Sequence, residues 1–283
     1  MRQRMRVFAL IAVGLALLVW ARPAAASNPI SIVLSNVRDT SFVVSWLTGV
    51  NEVGKVQLTT GATFNDERGA DYAGATHYVV VTGVPSKTTV QFDILSGDSK
   101  YTNEGAHYAV TTGTTLSPPP PDLIVGRVRN PDGSNATETI LIFTIQHEQG
   151  SSAPLSMLLT PKDAGFFHVN LGDARGAQDP TRYFTYGTQT DVLTIQAVNA
   201  RGTGTIRIPV GDPRLRASDP NQTIVVELSA GGQQPTLVER QATPTPFPAT
   251  TPQETGVLVV GLGAALFVVI GIIVVAFMFV WRR

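Results

Sequence analysis

From residue 28 to about residue 230 the chain alternates apolar and polar side chains over short stretches separated by turn-forming residues. A period of two is the signature of strands with one buried face. The first set covers residues 30–34, 41–47, 54–58, 77–81, 89–95 and 107–111. In Ser41-Phe42-Val43-Val44-Ser45-Trp46, the side chains of Phe42, Val44 and Trp46 share one face, because successive side chains on a strand point to opposite sides. The second set covers residues 123–128, 139–146, 155–159, 166–171, 192–197, 204–210 and 223–228. Asn130-Pro131-Asp132-Gly133 and Lys162-Asp163-Ala164-Gly165 supply turn chemistry between those strands, with Pro presetting φ and Gly accepting positive φ. The predicted fold class is therefore all-β, with two tandem β-sandwiches at residues 28–115 and 122–230.

The alternation fails at both ends, where apolar residues run together. Residues 256–280 carry no charge and precede Trp281-Arg282-Arg283. As a helix that run extends roughly 37 Å, enough to cross a hydrocarbon layer of about 30 Å. The two arginines place residues 281–283 on the cytoplasmic side by the positive-inside rule. At the other end, Arg2, Arg4 and Arg6 precede an apolar run at 7–20 and the small residues Ala24-Ala25-Ala26, the pattern of a signal peptide over residues 1–26. Together they predict a single-pass type I membrane protein with an extracellular ectodomain. Glu254-Thr255-Gly256 ahead of the apolar run also resembles a sortase sorting signal, although Pro252 and Gln253 stand where that signal has Leu and Pro. A wall-anchored protein is thus the alternative to a retained helix.

Two proline-rich stretches punctuate the ectodomain. Pro118 to Pro121 form the centre of a stiff linker at residues 116–121. Residues 231–255, with five prolines among many threonines, predict an extended, solvated stalk that cannot bury enough apolar area to fold.

Charge and cysteine content narrow the partners. The whole chain is neutral, but six of its 21 basic residues lie outside residues 27–255, leaving 15 against 21 acidic ones, a net charge of about −6. That balance argues against nucleic acid and anionic lipid as partners. With no cysteine, each module must be held by core burial alone, which suits a prokaryotic surface.

Residues 29–113 resemble a fibronectin type III domain, particularly the one at the N-terminus of purple acid phosphatases. The resemblance rests on Ser35-Asn36-Val37, Thr40 to Trp46, Gly54-Lys55-Val56, His77 to Val84, Thr88-Thr89 and Tyr108 to Thr112. The family's tyrosine corner is missing, with Val90 in its place. The metal-binding catalytic domain of those phosphatases is missing too, so the resemblance implies a scaffold without an active site. Residues 122–230 are similar to carboxypeptidase regulatory-like domains, a transthyretin-like sandwich, through Val125-Gly126-Arg127-Val128-Arg129-Asn130-Pro131-Asp132-Gly133 and Thr160 to Val169.

Candidate chemistry is sparse. The sequence has no H-E-x-x-H, no G-x-S-x-G and no phosphate-binding G-x-x-x-x-G-K, and its four histidines, His77, His107, His147 and His168, are far apart in sequence. No catalytic residue, metal ligand or cofactor is expected. Asp173 and Asp179 flank a Gly-containing loop, but Arg175 between them opposes a cation. The candidate recognition loop is Arg182, Tyr183, Phe184 and Tyr186, where three aromatics stand beside a cation. The same aromatics could instead cap one end of the second core. The function this predicts is non-catalytic display of two modules for adhesion, with a protein or carbohydrate partner outside the cell. The alternative is an accessory subunit that positions a membrane enzyme or transporter.

Overall fold

A computed structural model describes residues 28–231. The expected signal peptide, membrane helix and cytoplasmic end, and all but the first residue of the expected stalk, lie outside the described residues. Among the described residues no helix is long and apolar enough to cross a membrane.

The first module is a β-sandwich of strands β1 (Ile30–Ser35), β2 (Ser41–Leu58), β3 (Thr63–Asn65), β4 (Ala73–Thr82), β5 (Thr89–Ser96), β6 (Ser99–Tyr101) and β7 (Tyr108–Thr111). The two stretches expected at 41–47 and 54–58 are one 18-residue strand. Its pairing shifts between Leu47 and Glu52, where Gly49, Val50 and Asn51 are exposed. The first half of β2 pairs with β1 and β4; the second half pairs with β3 and β5. One strand thereby serves both sheets of the sandwich, and the irregularity at its middle is the corner. Phe42, Val44 and Trp46 face inward as predicted, packing with Val56, Val79, Val81, Phe92 and Ile94. Trp46 is fully buried.

The second module contains β8 (Leu123–Arg129), β9 (Thr139–His147), β10 (Gly150–Ser151), β11 (Leu155–Leu159), β12 (Phe166–Asn170), β13 (Val192–Asn199), β14 (Gly202–Pro209) and β15 (Ile224–Glu227). One sheet runs β10-β9-β13-β14 with β11 also on β9; the other runs β12-β8-β15. The β15–β8 pair is parallel, and every other pair in the module is antiparallel. Ile124, Val128, Leu141, Phe143, Phe167 and Ile195 meet in the core between the sheets. The 130–133 turn forms as its sequence predicts, with Gly133 at φ 78° and its N–H donating to the Asn130 carbonyl at 2.9 Å.

The two sandwiches belong to one compact unit. They meet through a third apolar cluster: Val33, Val43, Leu47 and Tyr78 from the first module against Ile140, Ile142, Leu158 and Val198 from the second. These are the outward-facing neighbours of inward-facing core residues. On β9, Leu141 and Phe143 point into the second core while Ile140 and Ile142 point at the first module. Both faces of β9 are therefore buried from Thr139 to Phe143, and the same holds for the first half of β2. The proline stretch joins modules that share an apolar seam along their sheet faces.

Candidate binding groove at the module junction

Polar groups line the rim of the seam. Asn36 sits just past β1 with φ 47°, a conformation that Asn tolerates better than most residues. Its backbone N–H donates to the Pro154 carbonyl at 3.0 Å. Its side-chain Oδ1 accepts the Ser156 N–H at 2.8 Å, and its Nδ2 donates to the Ser156 carbonyl at 2.9 Å. The Tyr78 hydroxyl donates to that carbonyl at 3.1 Å, and burial pushes its pKa up to about 12. Ser35 Oγ lies 2.7 Å from Ser156 Oγ. One residue of β11 is thus gripped by three side chains of the other module, much as an added strand would be.

Beside this clasp lies a groove of about 460 Å³, lined by Asn36, Arg38, Glu67, Tyr78, Met157 and Asp163 among others. It combines apolar floor with a few hydrogen-bonding groups at a domain boundary, where ligand sites concentrate. Burial, and then the neighbouring Asp66 carboxylate, raise the Glu67 carboxyl above its ordinary range. Arg38 pairs with Asp173 of the second module at 3.0 Å, and Asp163 accepts from the Thr160 N–H at 2.7 Å. The groove offers recognition groups rather than a nucleophile held by a base. Among the described residues no three His, Cys, Asp or Glu side chains converge as a metal site would require.

A second polar knot crosses the junction. The Arg68 guanidinium binds Asp66 through Nε at 2.8 Å and Nη2 at 2.9 Å, and also contacts Glu138 of the second module. Tyr72 donates to the same Glu138 at 2.7 Å, and its ring lies 3.8 Å from the guanidinium carbon. Behind it, fully buried His77 stacks on Trp46 with ring centroids 4.8 Å apart. Burial is the main cause that lowers the His77 pKa to about 4, outweighing the nearby Asp66. His77 therefore sits in the core as a neutral ring.

The expected recognition loop, Arg182 to Tyr186, is one segment whose side chains have different surroundings. Arg182 is exposed and pairs with Asp179 at 2.9 Å. Tyr183 is half-buried, with the Arg175 guanidinium 5.8 Å from its ring centroid. Phe184 and Tyr186 pack against the second core, and the Tyr186 hydroxyl donates to Asp122 at 2.7 Å. Arg175 itself is buried and donates to the carbonyls of Thr114 and Pro180, at 2.8 and 2.9 Å, occupying the centre of the Asp173–Asp179 loop. His107 bonds Asp93 at 2.8 Å on the far sheet, and His168 is exposed on β12. The four histidines do not come together.

Sequence reasoning missed Asn36, Ser156 and Glu138 as junction residues. The available signal was the pair of segments Phe42-Val43-Val44-Ser45-Trp46-Leu47 and Thr139-Ile140-Leu141-Ile142-Phe143, which are apolar on both faces.

No known family and no curated protein matches the chain. Among solved structures it is similar to the FN1–FN3 domains of chicken CNTN1, at 13% identity over 72% of this chain and 67% of that one, with a TM-score of 0.24. It is likewise similar to the central fibronectin-III array of RIM-binding protein, at 15% identity over 66% of this chain and 65% of that one, with a TM-score of 0.24. Neither overlap is close enough to assign the chain to those proteins. The all-β architecture of several sheets stands on the strand pairings themselves.

Proposed function

We propose that the chain is a non-catalytic, single-pass surface protein whose two sandwiches, the first of fibronectin type III type and the second of carboxypeptidase regulatory type, act as one binding head on a Pro/Thr stalk. The observation that carries this reading is the apolar seam with a groove at its rim. A seam of this kind holds two modules in one arrangement and makes a composite surface that neither module has alone. The partner is a protein or carbohydrate outside the cell, and the membrane is reached through residues 256–280.

The lack of cysteine makes orientation easy to test. Thr60 is exposed between β2 and β3, so Thr60→Cys adds one reactive thiol. A membrane-impermeant maleimide should label that variant on intact cells; labelling only after lysis would refute an extracellular head. Cells displaying the chain should adhere to a surface or neighbour in a way that substitutions in the groove abolish. If instead one membrane protein co-purifies stoichiometrically, and is lost when residues 256–283 are removed, the head serves as an accessory subunit rather than an adhesin.

A further inference from the structure

Away from the seam, the outer face of the β12-β8-β15 sheet is solvent-facing and carries an unusual set of side chains. The register aligns Phe166, Arg127 and Val225 across the three strands. His168 and Val125 form the next row, and Arg129 stands opposite Glu227. Leu123, at the start of β8 on the same face, is 58% exposed. The opposite face, with Ile124, Val128, Phe167 and Val226, is core.

Seven of the ten described arginines are committed to carboxylates or carbonyls: Arg38, Arg68, Arg175, Arg182, Arg201, Arg214 and Arg216. The remaining three are Arg127, Arg129 and Arg207, and two of them lie two residues apart on one face of one strand. Arg127 is positioned as if for use. Its guanidinium carbon lies 4.3 Å from the Phe166 ring centroid, within the range of a cation–π contact. Its Nε–H is buried without an acceptor, while the residue as a whole is only partly buried. A buried donor with no partner costs stability and in a native protein calls for an explanation. A stacked, pre-oriented guanidinium is the arrangement that receives a carboxylate by two parallel hydrogen bonds.

We propose that this face docks an acidic peptide in extended conformation. Side chains two apart on a strand are separated by about 6.7 Å, which is the spacing of Arg127 and Arg129 along β8 and also of every second residue in an extended peptide. Carboxylates at alternate positions of such a peptide meet the two guanidinium groups in register, and apolar residues flanking them cover Val125 and Leu123. Charge complementarity is local: Arg127 and Arg129 give this face a basic pair, on a head otherwise acidic, that an acidic partner can meet. This surface shares no residue with the junction groove, so either reading can fail without the other.

The test uses the full chain in detergent and a short fluorescein-labelled peptide, Val-Ser-Val-Ser-Glu-Ser-Glu, whose two Val and two Glu side chains share one face when extended, followed by fluorescence anisotropy. The Glu peptide is expected to bind, to weaken with added salt, and to bind about tenfold better than its Gln counterpart. Arg127→Ala and Arg129→Gln should each weaken binding several-fold, while Arg207→Ala should not change it. The Arg129 side chain makes no hydrogen bond or ion pair among the described residues, so Arg129→Gln reports on binding even if Arg127→Ala fails to fold. Equal binding of the Gln peptide, or indifference to Arg129→Gln, overturns the proposal. So does an oligogalacturonate that displaces the peptide with the same arginine dependence, since the face would then be a glycan site.

Discussion

Replacing Ile142 by alanine tests whether the two sandwiches fold as one. Ile142 belongs to the second module, yet its side chain is 1% exposed and packs in the seam, not in the second core. Truncation removes three buried carbons, worth about 2.4 kcal/mol at ~0.8 kcal/mol each, and leaves a cavity that the facing Val43, Leu47 and Tyr78 cannot readily fill. We expect a total loss of about 2–4 kcal/mol. The chain provides its own reporter, because Trp46 is the one tryptophan within residues 28–231 and lies in the first core. Urea unfolding of residues 28–231, followed by Trp46 fluorescence, should show the midpoint falling by about 1 M for a slope of roughly 2–3 kcal/mol per M. Far-ultraviolet circular dichroism, which reports both modules, should trace the same curve. If Ile142→Ala shifts the dichroism transition while the Trp46 transition stays in place, the modules unfold independently and the seam is not a source of stability for the first module.

Two further outcomes follow from the Trp46–His77 stack. A Cβ on Gly54 would lie 2.3 Å from His77 Nδ1 and 2.7 Å from the Trp46 ring, so Gly54→Ala should cost about 1–3 kcal/mol by overpacking; an unchanged melting temperature would show that the strand can move aside. The His77 pKa, lowered to about 4 in the fold from 6.5, means that the unfolded chain takes up a proton that the folded one refuses. Stability from this residue is whole above about pH 6.5 and declines as pH falls toward 4, by up to roughly 3 kcal/mol. A proton NMR titration in which the His77 ring protonates near its ordinary value would contradict this assignment.

The strand content was legible because it depends on local alternation. Every stretch expected in the second module became a strand, since each had an inward row such as Ile124-Val128 or Leu193-Ile195-Ala197 and a terminating turn. The short strands β3, β6 and β10 escaped, being two or three residues long and stabilised by pairing with a neighbour rather than by a pattern of their own. The continuity of β2 was hidden because Gly49 and Asn51 look like a loop, whereas two different sheets hold its two halves. The clasp at Asn36 and Ser156 was beyond a local reading altogether, as the residues are 120 positions apart and each is an ordinary turn or strand residue by itself. The aromatic loop was visible as composition, but composition does not separate a ring that packs on a core, as Phe184 and Tyr186 do, from one that faces solvent.

The two-faced burial of β2 and β9 bears on how the chain is made. Synthesis delivers the first module before Ile140, Ile142, Leu158 and Val198 exist to cover it. Until then, Val33, Val43 and Leu47 stand in water as an uncovered sheet surface, the kind of species that aggregates or recruits a holding chaperone. Maturation therefore has an order and a vulnerable interval. A chain interrupted between residues 115 and 139 would be left with a completed sandwich that is nevertheless sticky, so quality control during synthesis has a specific intermediate to recognise.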